Sequence, residues 1–176
     1  MAQAGVSVAT YSYALNNPLR YVDPDGLKVN LAGIRNHGNW STAAWVSARL
    51  QSCPAIRDYF NQCFGSDPWS DSIDHAFVSS PERSPWSPAS TNYWTQTTTL
   101  YGSAFRANHV NGEAELGATM THELSHQMSL STLDLRVRLG FPQPTGRCSA
   151  DAFERLARCV LQKGCTECSP SQCETR

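Results

Sequence analysis

The sequence predicts an α+β domain, mainly helical with a small sheet. Three observations carry that prediction. From Leu116 an apolar residue returns at every fourth position, at Met120, Leu124 and Met128, as a helix with one buried face requires. A later helix is bracketed by Ser149 as cap and Gly164 as stop, with Phe153, Leu156, Ala157 and Val160 on its apolar side. Thr95 to Tyr101 is rich in β-branched residues and predicts a strand.

The remaining elements follow in chain order. Lys28 to Asn39 reads as an extended or loop segment. Ser41 caps a helix that continues through Ala44, Trp45 and Ala48 until Pro54 interrupts it. A second helical piece runs to Phe64. Gly65 to Asn92 is crowded with Ser, Pro and Asp, which predicts a long irregular stretch walling a groove. The Thr95–Tyr101 strand is expected at the sheet edge, where an extended chain can add to it. Beyond the four-residue stripe, Leu133, Leu135, Val137 and Leu139 alternate with charged residues, as in a half-buried strand.

With 176 residues the chain suits one compact domain with a real core, and 14 basic against 15 acidic residues give no electrostatic footprint for nucleic acid. No apolar run approaches the roughly 20 residues needed to span a bilayer, and no charged-then-apolar signal segment opens the chain. No internal repeat appears. The one clear boundary falls after Leu27, dividing residues 1–27, dense in tyrosines and turn formers, from residues 28–176.

The chemistry concentrates at residues 122–126, His-Glu-Leu-Ser-His. On a helix His122 and His126 project from one face, so both imidazoles reach one ion, and Glu123 beside them can take a proton from water. Zinc held this way keeps an open coordination position. The histidines lie roughly opposite the Leu116–Met128 stripe and therefore face a cleft or solvent. His37, His75 and His109 lie among Gly, Asn, Ser and Pro and are expected to be exposed.

Seven cysteines, Cys53, Cys63, Cys148, Cys159, Cys165, Cys168 and Cys173, leave at least one without an intramolecular disulfide partner. A disulfide-stapled tail, fitting an oxidising compartment, is the favoured reading. A small zinc knot of Cys159, Cys165, Cys168 and Cys173 is the alternative.

Two resemblances extend this reading. The run Tyr11-Ser-Tyr-Ala-Leu-Asn-Asn-Pro-Leu-Arg-Tyr-Val-Asp-Pro-Asp-Gly-Leu27 closely resembles the end of the RHS repeat-associated core. That resemblance implies a β-shell that encloses a C-terminal toxin and cuts itself near Asp-Pro-x-Gly-Leu, with residues from Lys28 onward as cargo. Met1 is then expected to mark a truncation within a longer protein.

The cargo's middle, Thr99-Leu-Tyr-Gly-Ser-Ala-Phe105 followed by Glu115 to His126, resembles the aspzincin metallopeptidases, the deuterolysin and peptidyl-Lys endopeptidase group. It implies a zincin-like fold with Zn2+ held by His122, His126 and a downstream aspartate. Ser131-Thr-Leu-Asp134 is the counterpart of the family's Gly-Thr-x-Asp, with Ser131 in place of the glycine and Val137 where a tyrosine is usual. Asp134 is thus the expected third ligand, although pairing with Arg136 or Arg138 would also account for it. Glu154, from the later helix, is the rival third ligand in a gluzincin-like arrangement. It would otherwise pair with Arg158, four residues on. Asp151 is expected to serve the helix dipole or to hydrogen-bond a ligand histidine.

Together the resemblances imply a zinc-dependent endopeptidase toxin delivered into a target cell, with Glu123 as general base. Its expected partners are a protein or peptide substrate, the RHS shell before release and a cognate immunity protein that plugs the cleft. A non-catalytic, zinc-stabilised binding toxin is the alternative. Asp67, Asp71, Asp74, Glu82 and Glu113 are unranked candidates for holding a substrate lysine.

Overall fold

The computed structural model describes residues 29–35, 38–70, 74–81, 87–92, 95–105, 112–138 and 148–173, and for 129–138 and 172–173 the backbone alone. The run 1–27, His37, His109, Trp86 and Tyr93 lie outside the described residues. The chain is an α+β arrangement of one four-stranded sheet and a helical layer. Strand β1 (Val29–Gly33) leads into helices α1 (Trp40–Gln51) and α2 (Pro54–Phe64). Strands β2 (His75–Ser80), β3 (Ala89–Asn92) and β4 (Thr97–Tyr101) precede the long helix α3 (Gly112–Arg138). Helix α4 (Ala150–Lys163), a 3-10 turn (Cys165–Glu167) and the short helix α5 (Pro170–Cys173) complete the described chain.

The sheet order is β1-β2-β4-β3. Strands β1, β2 and β4 run parallel, and β3 returns antiparallel to β4 with Thr91 opposite Thr98. The expected edge strand is therefore interior: β4 lies between β2 and β3, and β3 takes the edge because a short reversal folds it back on its neighbour. The stretch from Gly65 to Asn92 is not irregular throughout, since it supplies β2 and β3. Serines dilute the apolar alternation of both strands, and pairing with neighbours rather than intrinsic propensity sets their structure.

Helix α1 begins one residue before the expected cap. Asn39 occupies the N-cap position, and the buried side is Trp40, Ala43, Val46, Ser47 and Leu50. Ala48 and Trp45 face outward, with Arg49 over the Trp45 ring. The α2 boundaries match expectation: Pro54 enters at the first turn and Gly65, at φ 84°, closes the helix in the left-handed region. Asp67 is committed to the following turn, accepting from Arg57, the Trp69 backbone and Ser70.

Phe153 of α4 joins the helices into one core. Its ring lies 4.6 Å from Tyr59, 4.3 Å from Phe60 and 5.5 Å from Phe64. Leu156, Ala157 and Val160 are buried as the amphipathic pattern predicts, and the Ser149 hydroxyl accepts from the Ala152 amide at the helix start. Leu116, Met120, Leu124 and Met128 of α3 are each at most 2% exposed.

One expectation fails in the second half of α3. Residues 133–138 are helical rather than a strand. From Ala118 to Leu139 there is neither Gly nor Pro, and Leu and Arg are good helix formers, so nothing ends the helix before Gly140 and Pro142. Short-range alternation there does not define a sheet face.

Three disulfides join Cys53 to Cys165, Cys63 to Cys148 and Cys159 to Cys168. Only the last lies within the C-terminal cluster; the other two staple the flanks of α4 to the ends of α2. Cys159, Cys165 and Cys168 are thereby committed to sulfur, which excludes the four-cysteine zinc knot. Such bridges fit an oxidising environment. No helix among the described residues is long and apolar enough to cross a membrane.

Candidate metal centre

The site begins with α3, which carries polar residues through the protein interior by satisfying them locally. Thr121 donates to the Gly117 carbonyl at 2.7 Å and Ser125 to the His122 carbonyl at 2.6 Å, so two buried hydroxyls need no outside partner. At Gly117 the absent side chain sets helix spacing. A Cβ there would stand 2.1 Å from Leu161 of α4 and 3.0 Å from Val46 of α1. Close approach brings the acidic face of α4 to the histidines of α3.

His122 and His126 are only partly exposed, and their rings meet edge to face with centroids 4.9 Å apart. Their Nε2 atoms converge at 3.1 Å. Two nitrogens bound at roughly 2.0–2.1 Å to one tetrahedral zinc stand about 3.3 Å apart, so the pair is already spaced to share an ion. The same spacing suits a hydrogen bond in which one Nε2 carries the proton. The hydrogen bond to Glu154 raises the His122 pKa, whereas burial and then the charge of His122 hold His126 below its ordinary value.

On its other side His122 directs Nδ1 to Glu154 Oε2 at 3.1 Å, with Asp151 Oδ1 at 3.8 Å. His122, Asp151 and Glu154 form a group whose ligand atoms all lie within 4.8 Å of one another and which could hold a metal ion. The carboxylates meet Nδ1, whereas the histidine pair meets through Nε2. A donor bond from Nδ1 to a carboxylate leaves the lone pair of neutral His122 on Nε2, where a shared ion would need it.

Glu154 is fully engaged. Its Oε1 accepts from Arg158 at 2.7 Å, and Arg158 is itself held by Glu115 through bonds of 2.8 and 2.9 Å. The hydrogen bond from His122, reinforced by Arg158, lowers the Glu154 pKa to about 2. Arg158 is pushed up, chiefly by Glu115. Glu154 therefore orients His122, the alternative role weighed for Asp151 beside the helix dipole. Asp151 has its side chain 73% exposed, and its charge acts on both His122 and His126.

Glu123 is bonded to the sheet and is 7% exposed. Thr91 of edge strand β3 donates to its Oε2 at 2.5 Å. Burial raises the Glu123 pKa, against the lowering effects of Thr91 and His122. A carboxylate so placed is a stronger base than an exposed one.

The structure thus brings together His122, Glu123 and His126, as the motif predicts, and adds Glu154 through Nδ1. Asp134 lies on α3, and its side chain is outside the described residues. Its backbone position is eight residues past His126 in an uninterrupted helix, about 12 Å along the axis. For Asp134 to share an ion with His126, the helix would have to end between them.

His75 differs from expectation, being wholly buried in β2 rather than exposed. Sequence reading also missed Thr91, Thr98 and Gln127, which adjoin Glu123 in space. Gln127 had a usable signal, since it sits four residues beyond Glu123 on the same helix face. Thr91 had none. No family model, curated protein or solved structure matches the chain.

Proposed function

We propose that the chain is a zinc-dependent endopeptidase, the toxic cargo of an RHS protein. The approach of the two Nε2 atoms to each other, beside a Glu123 that the sequence puts on the same helical turn, carries this reading. His122 and His126 would hold the ion through Nε2, with Glu154 fixing the ring and tautomer of His122. Asp134 stays the third ligand that the aspzincin resemblance implies, since Asp151 and Glu154 lie at His122 Nδ1 and not at the converging Nε2 atoms. Bound zinc would supply a Lewis acid and a water acidic enough to ionise near neutral pH.

Glu123 accepts the proton of the attacking water on Oε1, its oxygen not held by Thr91, and passes it to the amine nitrogen as the peptide bond breaks. Edge strand β3, joined to Glu123 through Thr91, offers a place for an extended substrate chain. The Tyr11–Leu27 run supports delivery by a self-cleaving shell, and the three disulfides support action in an oxidising compartment of the target. A cognate immunity protein would act most directly by covering His122, Glu123 and His126.

The test compares the zinc-loaded wild-type protein with Glu123→Gln. The variant should retain one zinc per chain by elemental analysis while losing hydrolysis of labelled casein and toxicity. Zinc retained with undiminished toxicity would favour a binding toxin instead. New N-termini in intoxicated cells, absent with Glu123→Gln, would identify substrates.

A further inference from the structure

Glu123 is the end of a longer arrangement. His75 Nδ1 lies 3.0 Å from Gln127 Oε1, and Gln127 Nε2 lies 2.6 Å from Thr98 Oγ1 and 3.3 Å from the Ala76 carbonyl. Thr98 Oγ1 is 2.7 Å from Thr91 Oγ1, which lies 2.5 Å from Glu123 Oε2. His75, Thr98 and Gln127 are all wholly buried. The chain of contacts crosses β2, β4 and β3 and returns to α3.

Its direction is fixed by what each group can do. A carbonyl only accepts, so Ala76 sets the Gln127 amide with Nε2 toward Thr98 and Oε1 toward His75. Gln127 Oε1 also only accepts, so His75 carries its proton on Nδ1. At the other end the Glu123 carboxylate accepts, which uses the single proton of Thr91. Thr98 must then donate to Thr91 while accepting from Gln127. Along the path from His75 to Glu123 each link is donated in the direction of Glu123.

We propose that Thr91 is a positioning residue for the Glu123 carboxylate, held in place by a one-way hydrogen-bond chain that starts at His75. This rests on the endopeptidase reading. A carboxylate on a flexible side chain has two equivalent oxygens and several rotamers. The Thr91 hydroxyl occupies Oε2 and leaves Oε1 as the oxygen that exchanges protons with the substrate. Thr98 cannot turn away without stranding the buried Gln127 amide, and Gln127 is locked by Ala76 and His75. The sheet thus orients the base while α4 orients the metal ligand.

The test uses the zinc-loaded 176-residue wild type, Thr91→Val, Thr91→Ser and Glu123→Gln, with fluorescein-labelled casein and 15N-histidine NMR. Thr91→Val should keep zinc content and change KM less than about twofold, while kcat falls about 10- to 100-fold, as when a partner that orients an active group is lost. Thr91→Ser should restore most of the rate. His75 should appear as the neutral Nδ1–H tautomer at pH 7, and its resonances should move in Gln127→Leu. Wild-type kcat in Thr91→Val, with Glu123→Gln inactive, overturns the positioning role and leaves the endopeptidase reading intact. Full hydrolysis by Glu123→Gln, or casein left uncut by the wild type, removes the endopeptidase reading, and the NMR then decides the chain. A His75 Nε2–H tautomer overturns the chain itself.

Discussion

Removing the Cys53–Cys165 bridge tests how the helical layer is held. The disulfide closes a 112-residue loop, and the 85-residue loop of Cys63–Cys148 is nested inside it. With the inner bridge intact, breaking the outer one frees only about 27 residues of additional loop, worth about 3.5 kcal/mol of unfolded-state entropy. Breaking the inner bridge as well adds about 4.6 kcal/mol, so losing both costs about 8 kcal/mol, comparable with the entire stability of an ordinary domain. The assay is urea unfolding without reductant, followed by tryptophan fluorescence, on Cys53→Ala/Cys165→Ala, Cys63→Ala/Cys148→Ala and the fourfold variant. The first should remain folded with a lower midpoint and the fourfold variant should be largely unfolded at 37 °C. A loss below about 1 kcal/mol in the first, or a fourfold variant no worse than either pair alone, would refute the nested-loop reasoning.

Two further outcomes follow from the contacts around α4. Glu154→Gln should weaken zinc binding about 10- to 100-fold in chelator competition, because it removes the carboxylate that sets the His122 tautomer, while leaving the fold intact. Gly117→Ala should destabilise the protein by about 1–3 kcal/mol in urea unfolding, since its methyl group would press on Leu161 and Val46, and should weaken zinc binding as α4 shifts.

Much of the helical layer is legible in the sequence because its signals are local. The Ser149 cap, the Gly164 stop and the apolar face between them describe α4 without reference to anything else. The four-residue stripe of α3 gives its buried face, and the His-Glu-x-x-His spacing gives the paired imidazoles. The sheet is harder to read because β2 and β3 exist through their neighbours: Ala76 pairs with Thr97 and Thr91 with Thr98, and no short window contains both partners. His75 is misjudged for the same reason, since its flanking Ser and Asp suggest exposure while Gln127, 52 residues away, supplies its buried partner. The helical end of α3 shows the opposite error, where a local alternation suggests a strand that no neighbour supports. Glu154 is visible as a candidate, but only the packing of α4 on α3 shows that it faces Nδ1.

The two supports of the site come from opposite sides of α3, Thr91 from the sheet and Glu154 from the helical layer. A chain in which only α3 had formed would possess neither a seated base nor an oriented imidazole. Whatever chemistry the centre supports, its onset waits for both layers to dock on α3.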